Sequence, residues 1–299
     1  MATEFRSGPT GLARRGRRLS DRETERRMLQ AAVAMVHGTG LTVSLDHISF
    51  EDVIRNADVS RSAVYRRWPY KDLFFSDLVK ELASDATPPA ILSDEVSLIQ
   101  QIVAERLDWL KSAEGRHRLM LELFRQLSLL DFRALYESPR WRTYLALHAT
   151  FMSLADGELR DEVQIILAQS EREHMAAVAR AWEHLAALFG YRLRPGATFG
   201  TLATLLSATM RGLVIMALSL PELAASGKPE LAASGDVGQA GQAPQNPFGA
   251  DGDWSLAAIG LSSTALAFLE PDPSGEWDDE RLAAVRAGLA ALLPMSRAE

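Results

Sequence analysis

The sequence predicts an all-α protein in two helical parts, and three features of the chain carry that expectation. Apolar residues recur at three- and four-residue spacing from about residue 21 to the end. Residues 49–72 hold short helices delimited by Ser49, Ser60 and Pro69, the spacing of a helix-turn-helix. The run SDATPPAILSD, with Pro88 and Pro89, separates this stretch from a longer helical remainder.

Composition narrows the chemistry. A chain of 299 residues, 47% hydrophobic and 24% charged, is long enough for two domains with cores. It has no cysteine, which removes disulfides, thiolate nucleophiles and zinc–thiolate sites and fits a cytoplasmic location. No apolar stretch follows the N-terminal arginines, so a secretory signal is not expected. The net charge of −7 is unevenly divided. Residues 1–85 carry fourteen Lys or Arg against twelve Asp or Glu, and the rest eighteen against twenty-seven. Positive charge is therefore local, which is all that phosphate attraction requires.

Residues 1–20, with Arg14, Arg15, Arg17 and Arg18, read as a flexible basic arm able to enter a minor groove. Ser20 and Asp21 open a first helix with Leu29, Ala32, Val33 and Val36 as its apolar stripe, stopped by Gly38 and Gly40. Ser49 caps the next, whose Val53, Ile54 and Ala57 face inward. Asp58 takes the turn, and Val59 plugs the core beneath it. Ser60 caps a helix that turns Val64 and Trp68 inward and leaves Arg61, Ser62, Tyr65 and Arg66 on other faces. Pro69 ends it, and Lys71 and Asp72 open a fourth helix carrying Leu73, Phe74, Leu78, Val79 and Leu82.

The run SFEDVIRNADVSRSAVYRRWPYKDLFFSDLV resembles the DNA-binding domain of the TetR family of bacterial regulators, over roughly residues 21–83. Ser49, Val59, Ser60, Tyr65, Trp68 and Lys71 stand at the family's characteristic positions, while Asp58 replaces its usual glycine. The resemblance implies that Ser49, Tyr65 and Lys71 hold phosphates and that Arg61, Ser62 and Arg66 face base edges. Arg67 serves either role.

Beyond the hinge, helices are expected over Leu92–Leu110 and Arg116–Leu130, the second with Met120, Leu123, Phe124 and Leu127 in phase. Pro139 opens another, with Trp141, Tyr144, Leu145, His148, Phe151 and Met152 along one stripe. Glu158–Phe189 forms a long helix whose inward stripe includes His174 and Trp182. A buried histidine bonded to backbone or water is the commoner arrangement for both His148 and His174. Thr198–Leu220 is apolar nearly all round, but Arg211 near its middle argues against a membrane span and calls for a carboxylate partner. Such a helix is buried both in its own domain and against a second subunit. Leu202, Leu205, Leu206, Ala208, Gly212 and Leu213 are the candidate dimer residues. The unit PELAASG occurs twice, at Pro221–Gly227 and Pro229–Gly235, in a segment 221–252 expected to be a disordered loop. Helices at Asp253–Leu269 and Trp277–Leu293 complete the bundle.

No metalloprotease, P-loop, nucleophile-elbow or dinucleotide motif is present, so no cofactor, metal or catalytic residue is assigned. Glu171 and His174 share a helix face but lack a second carboxylate–histidine pair. The resulting expectation is an arm (1–20), a helix-turn-helix DNA-binding domain (21–85) and a helical effector-binding and dimerisation domain (90–299). By resemblance it is a homodimeric repressor that binds duplex operator DNA and is released by a small apolar or aromatic effector. Phe124, Trp141, Tyr144, His148, Phe151, His174 and Trp182 are the expected effector lining. A helical partner-binding adaptor and a small-molecule enzyme are the alternatives.

Overall fold

A computed structural model of the protein describes residues 19–39, 48–85, 93–225, 247–249 and 252–291. Residues 1–18 of the basic arm, Pro88 and Pro89 of the hinge and the second PELAASG copy lie outside the described residues. The chain divides into two compact units, residues 1–81 and 82–299.

The elements of the first unit among its described residues are all helices. Helix α1 (Asp21–Thr39) starts where Ser20 Oγ accepts the Glu23 amide at 3.2 Å. Its fully buried line is Thr24, Met28, Ala32 and Val36, an i, i+4 series. The seam is thus rotated from the expected one: Leu29 and Val33 flank it, half-buried. The helix also continues through Gly38, because one glycine weakens a helix without stopping it. Helices α2 (Phe50–Asn56) and α3 (Arg61–Arg67) are opened by Ser49 and Ser60, whose hydroxyls each accept an amide three residues on at 3.3 Å. Between them Asp58 adopts φ 50°, the left-handed conformation that Asp tolerates better than most side chains. Val53, Val64 and Trp68 are fully buried, while Val59 is only half-buried. In α4 (Lys71–Asp85), Phe74 and Leu78 take the core positions, and Leu73, one step round the helix, is exposed instead of buried.

The second unit is a helical bundle with a small sheet. The expected single helix over 92–110 is two pieces, α5 (Ser93–Glu105) and a 3-10 turn at Leu107–Lys111. The two pieces part at Arg106, which leaves helical geometry at φ −126° and ψ 25°, and the turn ends where Ser112 caps α6 (Ala113–Glu137), accepting the Gly115 amide at 3.0 Å. Helix α7 (Pro139–Ser153) is capped by Ser138 and buries Trp141, Tyr144 and Leu147, but leaves Met152 exposed. Helix α8 (Glu158–Leu188) ends at Gly190, where φ is +70° and a Cβ would overlap the Trp277 ring.

The turn feeds β1 (Tyr191–Leu193), which pairs antiparallel with β2 (Leu269–Pro271) in the register Tyr191↔Pro271 and Leu193↔Leu269. These strands are absent from the sequence expectation, since three residues are too few for a two-residue alternation to register. Helix α9 (Phe199–Ser219) buries Leu202, Leu206, Met210 and Val214 against the neighbouring elements α8 and α6. A short α10 (Pro221–Ala225) occupies the start of the segment expected to be loop. Helix α11 (Leu256–Phe268) packs on α6 and α9, and α12 (Asp279–Ala290) on α5.

Candidate nucleic-acid interface and effector cavity

The outer face of α3 is polar because its inner face is fixed. With Val64 and Trp68 buried, Arg61, Ser62, Tyr65 and Arg66 must be exposed, and all four are. Each cation is held by a carboxylate of the same unit. Arg61 pairs with Glu51 at 2.7 Å, and Tyr65 donates to the other oxygen of Glu51 at 3.3 Å. Arg66 pairs with Asp21. These contacts are solvated and contribute little stability, so each arginine can exchange its carboxylate for a phosphate or a base edge. Ser49 and Ser60 have their hydroxyls committed as caps, and Ser60 Oγ lies 3.4 Å from Ser62 Oγ. Lys71 stands exposed at the first position of α4.

Arg67 differs from its neighbours. Its guanidinium donates to Glu25 at 3.1 and 3.2 Å and to Asp77 at 3.2 Å, and lies 5.0 Å from the Trp68 ring centre. Asp77 also accepts the Trp68 indole N–H at 2.9 Å. Hydrogen bonding to Glu25 raises the Arg67 pKa further. Arg67 therefore joins α1, α3 and α4, a structural role that neither of the two expected for it covers.

The second unit holds a half-open cavity of about 180 Å³ between α5, α6, α8 and α9, with additional lining from α7, α11 and β2. Of the seven residues expected around an effector, Phe124, Trp141, His174 and Trp182 line it together. Phe124 and Trp182 stack on each other in its wall, with ring centres 5.1 Å apart. Tyr144, His148 and Phe151 are not in its lining. His148 Nδ1 is 2.9 Å from the Tyr144 carbonyl, the backbone-bonded arrangement anticipated as the commoner one. Phe151 is covered by the Arg160 guanidinium, 4.8 Å from its ring centre.

Tyr144 belongs to a cluster that answers the question posed by Arg211. Arg211 Nη1 donates to Glu171 at 2.6 Å and to the Tyr144 hydroxyl at 2.9 Å, while that hydroxyl donates to Glu171 at 3.1 Å. Burial pushes the Tyr144 phenol up to about 12, so it remains a protonated donor. Burial also depresses the His174 pKa, assisted by Arg211 and opposed by Glu171, which keeps its imidazole neutral.

Sequence reasoning missed Asp131 and Ser128, which line the cavity from α6. Burial pushes the Asp131 carboxyl up to about 6. The available signal was phase: Ser128 and Asp131 continue the face of Phe124 and Leu127 as polar residues interrupting an apolar stripe. Among the described residues no cluster of three potential metal ligands occurs.

The candidate dimer residues divide between two environments. Leu202 and Leu206 lie in the unit's own core, Gly212 and Leu213 are half-buried, and Leu205 and Ala208 are exposed. Helix α9 has the length and apolarity of a membrane span, but Arg211 within it is ion-paired and a third of it is core.

Fold and site together define a helix-turn-helix head and, separately, a helical unit with an apolar cavity. No protein-family model and no curated protein matches the chain. Among solved structures it is similar to SmeT in complex with triclosan, at 19% identity over 85% of this chain and 94% of that one, with a TM-score of 0.37. TylP, a TetR regulator from Streptomyces fradiae, is 13% identical over 90% and 98% of the two chains, with a TM-score of 0.37. SmeT, the repressor of the Stenotrophomonas maltophilia multidrug efflux pump SmeDEF, is also similar, at 18% identity over 86% and 95% and a TM-score of 0.35.

Proposed function

We propose that the chain is a TetR-type transcriptional repressor that binds duplex operator DNA as a homodimer and releases it when a small apolar effector enters the cavity. The observation that carries the proposal is the capped α2–turn–α3 unit with Arg61, Ser62, Tyr65 and Arg66 exposed on one helix. Arg61 and Arg66 on the exposed side of such a helix suit guanine O6 and N7, and Tyr65 and Lys71 suit the phosphates on either side. Two heads related by a two-fold axis would read half-sites about one DNA turn, roughly 34 Å, apart.

The dimer surface we assign is the exposed side of α9: Leu205, Ala208, Ile215, Met216 and Leu218, with open space beside Gly212. An effector then acts by linkage, weakening DNA binding by as much as it prefers a conformer with another head spacing. Selection of duplexes from a random pool by the full chain, followed by footprinting, tests the proposal. Protection of a palindromic site that weakens steeply with salt supports it. Absence of any protected duplex removes it and favours a protein-binding adaptor. Ile215→Glu should convert the dimer to monomer in sedimentation velocity, and an unchanged dimer would move the interface elsewhere.

A further inference from the structure

The cavity of the second unit holds an acid that no cation of the described residues balances. On α6 the lining residues Met120, Phe124, Leu127, Asp131 and Leu135 follow one another at three- and four-residue spacing, so one helix face meets the cavity and Asp131 belongs to it. Asp131 lies deep enough that burial alone pushes its carboxyl up to about 6, yet the residue is only half-buried. At that depth, the surface it leaves open to water faces the cavity it lines. No cation pairs with it among the described residues. At neutral pH the carboxyl is mostly ionised, an uncompensated charge in poorly screened surroundings.

The other ionisable groups of the lining do not supply the missing positive charge. Arg211 of α9 is tied to Glu171 at 2.6 Å and to the Tyr144 hydroxyl at 2.9 Å. Burial lowers the His174 pKa on α8, so its imidazole is neutral. Glu95 of α5 has contacts of its own and adds no cation, and α7, α11 and β2 contribute only Trp141, Leu261 and Leu269. The remaining wall is mainly apolar and includes Phe124 and Trp182, which with Trp141 are side chains that favour a nearby cation. A volume of about 180 Å³ is several times the roughly 30 Å³ share of one water, which leaves room for an organic body. A hydrocarbon there would displace the water that screens Asp131 and leave it unpaired, and an anion would be repelled. We infer that the cavity takes a monovalent organic cation, an apolar or aromatic body carrying one charged nitrogen that sits beside the Asp131 carboxylate. This rests on the reading of the cavity as the effector site, but it concerns the ligand's charge and can be tested without DNA.

Benzyltrimethylammonium and neopentylbenzene share a shape and differ by one charge, and 3-phenylpropionate supplies the opposite sign. Each is titrated into the full-length protein by equilibrium dialysis at pH 7.5 and pH 5. At pH 7.5 the ammonium ion should bind, and the propionate at least about tenfold more weakly. Asp131→Asn keeps the side-chain shape and removes the charge. It should weaken the ammonium ion about tenfold and change the hydrocarbon's affinity less than about twofold. The ammonium charge is permanent, so its pH profile reports the protein alone: affinity is full well above the Asp131 pKa and should fall about tenfold by pH 5. Protonated His174 would also repel a cation, so the profile is compared with that of Asp131→Asn, which should fall less than about threefold. No binding of the ammonium ion, tighter binding of the propionate, or a variant that loses no affinity for the cation overturns the inference. A flat wild-type profile overturns it even if the variant folds poorly. Failure of operator binding would sink the repressor proposal and leave this result standing.

Discussion

The two units solve the problem of placing charge and polarity in opposite ways. In the head, the exposed arginines of α3 are matched by nearby carboxylates: Arg61 by Glu51 and Arg66 by Asp21. In the second unit, Arg211 has one nitrogen committed to Glu171 and Tyr144, and another is buried without a hydrogen-bond partner among the described residues. A solvated pair costs little to exchange, as the proposed binding to phosphates and base edges requires. A buried arginine tied to a carboxylate and a phenol is costly to move, because breaking either contact leaves an unmet buried group. The same residue type is therefore readily exchanged in one unit and held in place in the other.

The contrast can be broken most decisively at α3. Arg61→Ala combined with Tyr65→Ala should lower operator affinity at least about 100-fold in a mobility-shift titration, given roughly 1–3 kcal/mol per good base contact. Both side chains are exposed, so the circular dichroism spectrum should not change. Unchanged affinity would show that α3 does not read DNA.

The next largest effect belongs to the cavity. Burial raises the Asp131 carboxyl from its ordinary 3.8 to about 6, so the folded state favours its neutral form. That contribution is fully present below about pH 3.8 and is lost as pH rises through 6. Asp131→Asn should therefore raise unfolding free energy at pH 8 by on the order of 3 kcal/mol and have little effect below pH 4. Urea titrations at the two pH values measure it, and equal effects at both would mean the carboxyl is not held neutral by burial.

Smaller effects sharpen the comparison within the head. Ser60→Ala removes the cap of α3 and should cost about 1 kcal/mol in the same urea titration. Glu51→Gln releases Arg61 and Tyr65 and removes a negative charge from the reading face. It should tighten DNA binding by about threefold, with a shallower gain at high salt. Weaker binding would mean that Glu51 orients the arginine and does not compete for it.

The units also differ in how much of them was legible in sequence. In the head, Ser49, Asp58 and Ser60 act within four residues of themselves, and Val64 and Trp68 follow one another at four-residue spacing on one face, so caps, turn and inward face could be read from spacing alone. Arg67 could not, because its partners Glu25 and Asp77 are set by how α1 and α4 lie against α3. In the second unit, helical phase brought Phe124, Trp141, His174 and Trp182 to one cavity. Tyr144, His148 and Phe151 do not join that lining, since a shared stripe on α7 does not say which neighbour each turn meets. The expectation that Arg211 needs a carboxylate followed from the cost of burying an unpaired charge. That the carboxylate is Glu171, forty residues earlier, did not.

The β1–β2 pairing has a consequence in time. Leu269 of β2 lines the cavity, and its strand partner Leu193 lies far earlier in the chain, so the pocket wall is incomplete until synthesis has passed Pro271. The compact head ends about residue 81, some 190 residues sooner. At roughly 5–20 residues per second, that interval is on the order of 10–40 seconds. A newborn head is complete well before the cavity of the second unit has its last wall.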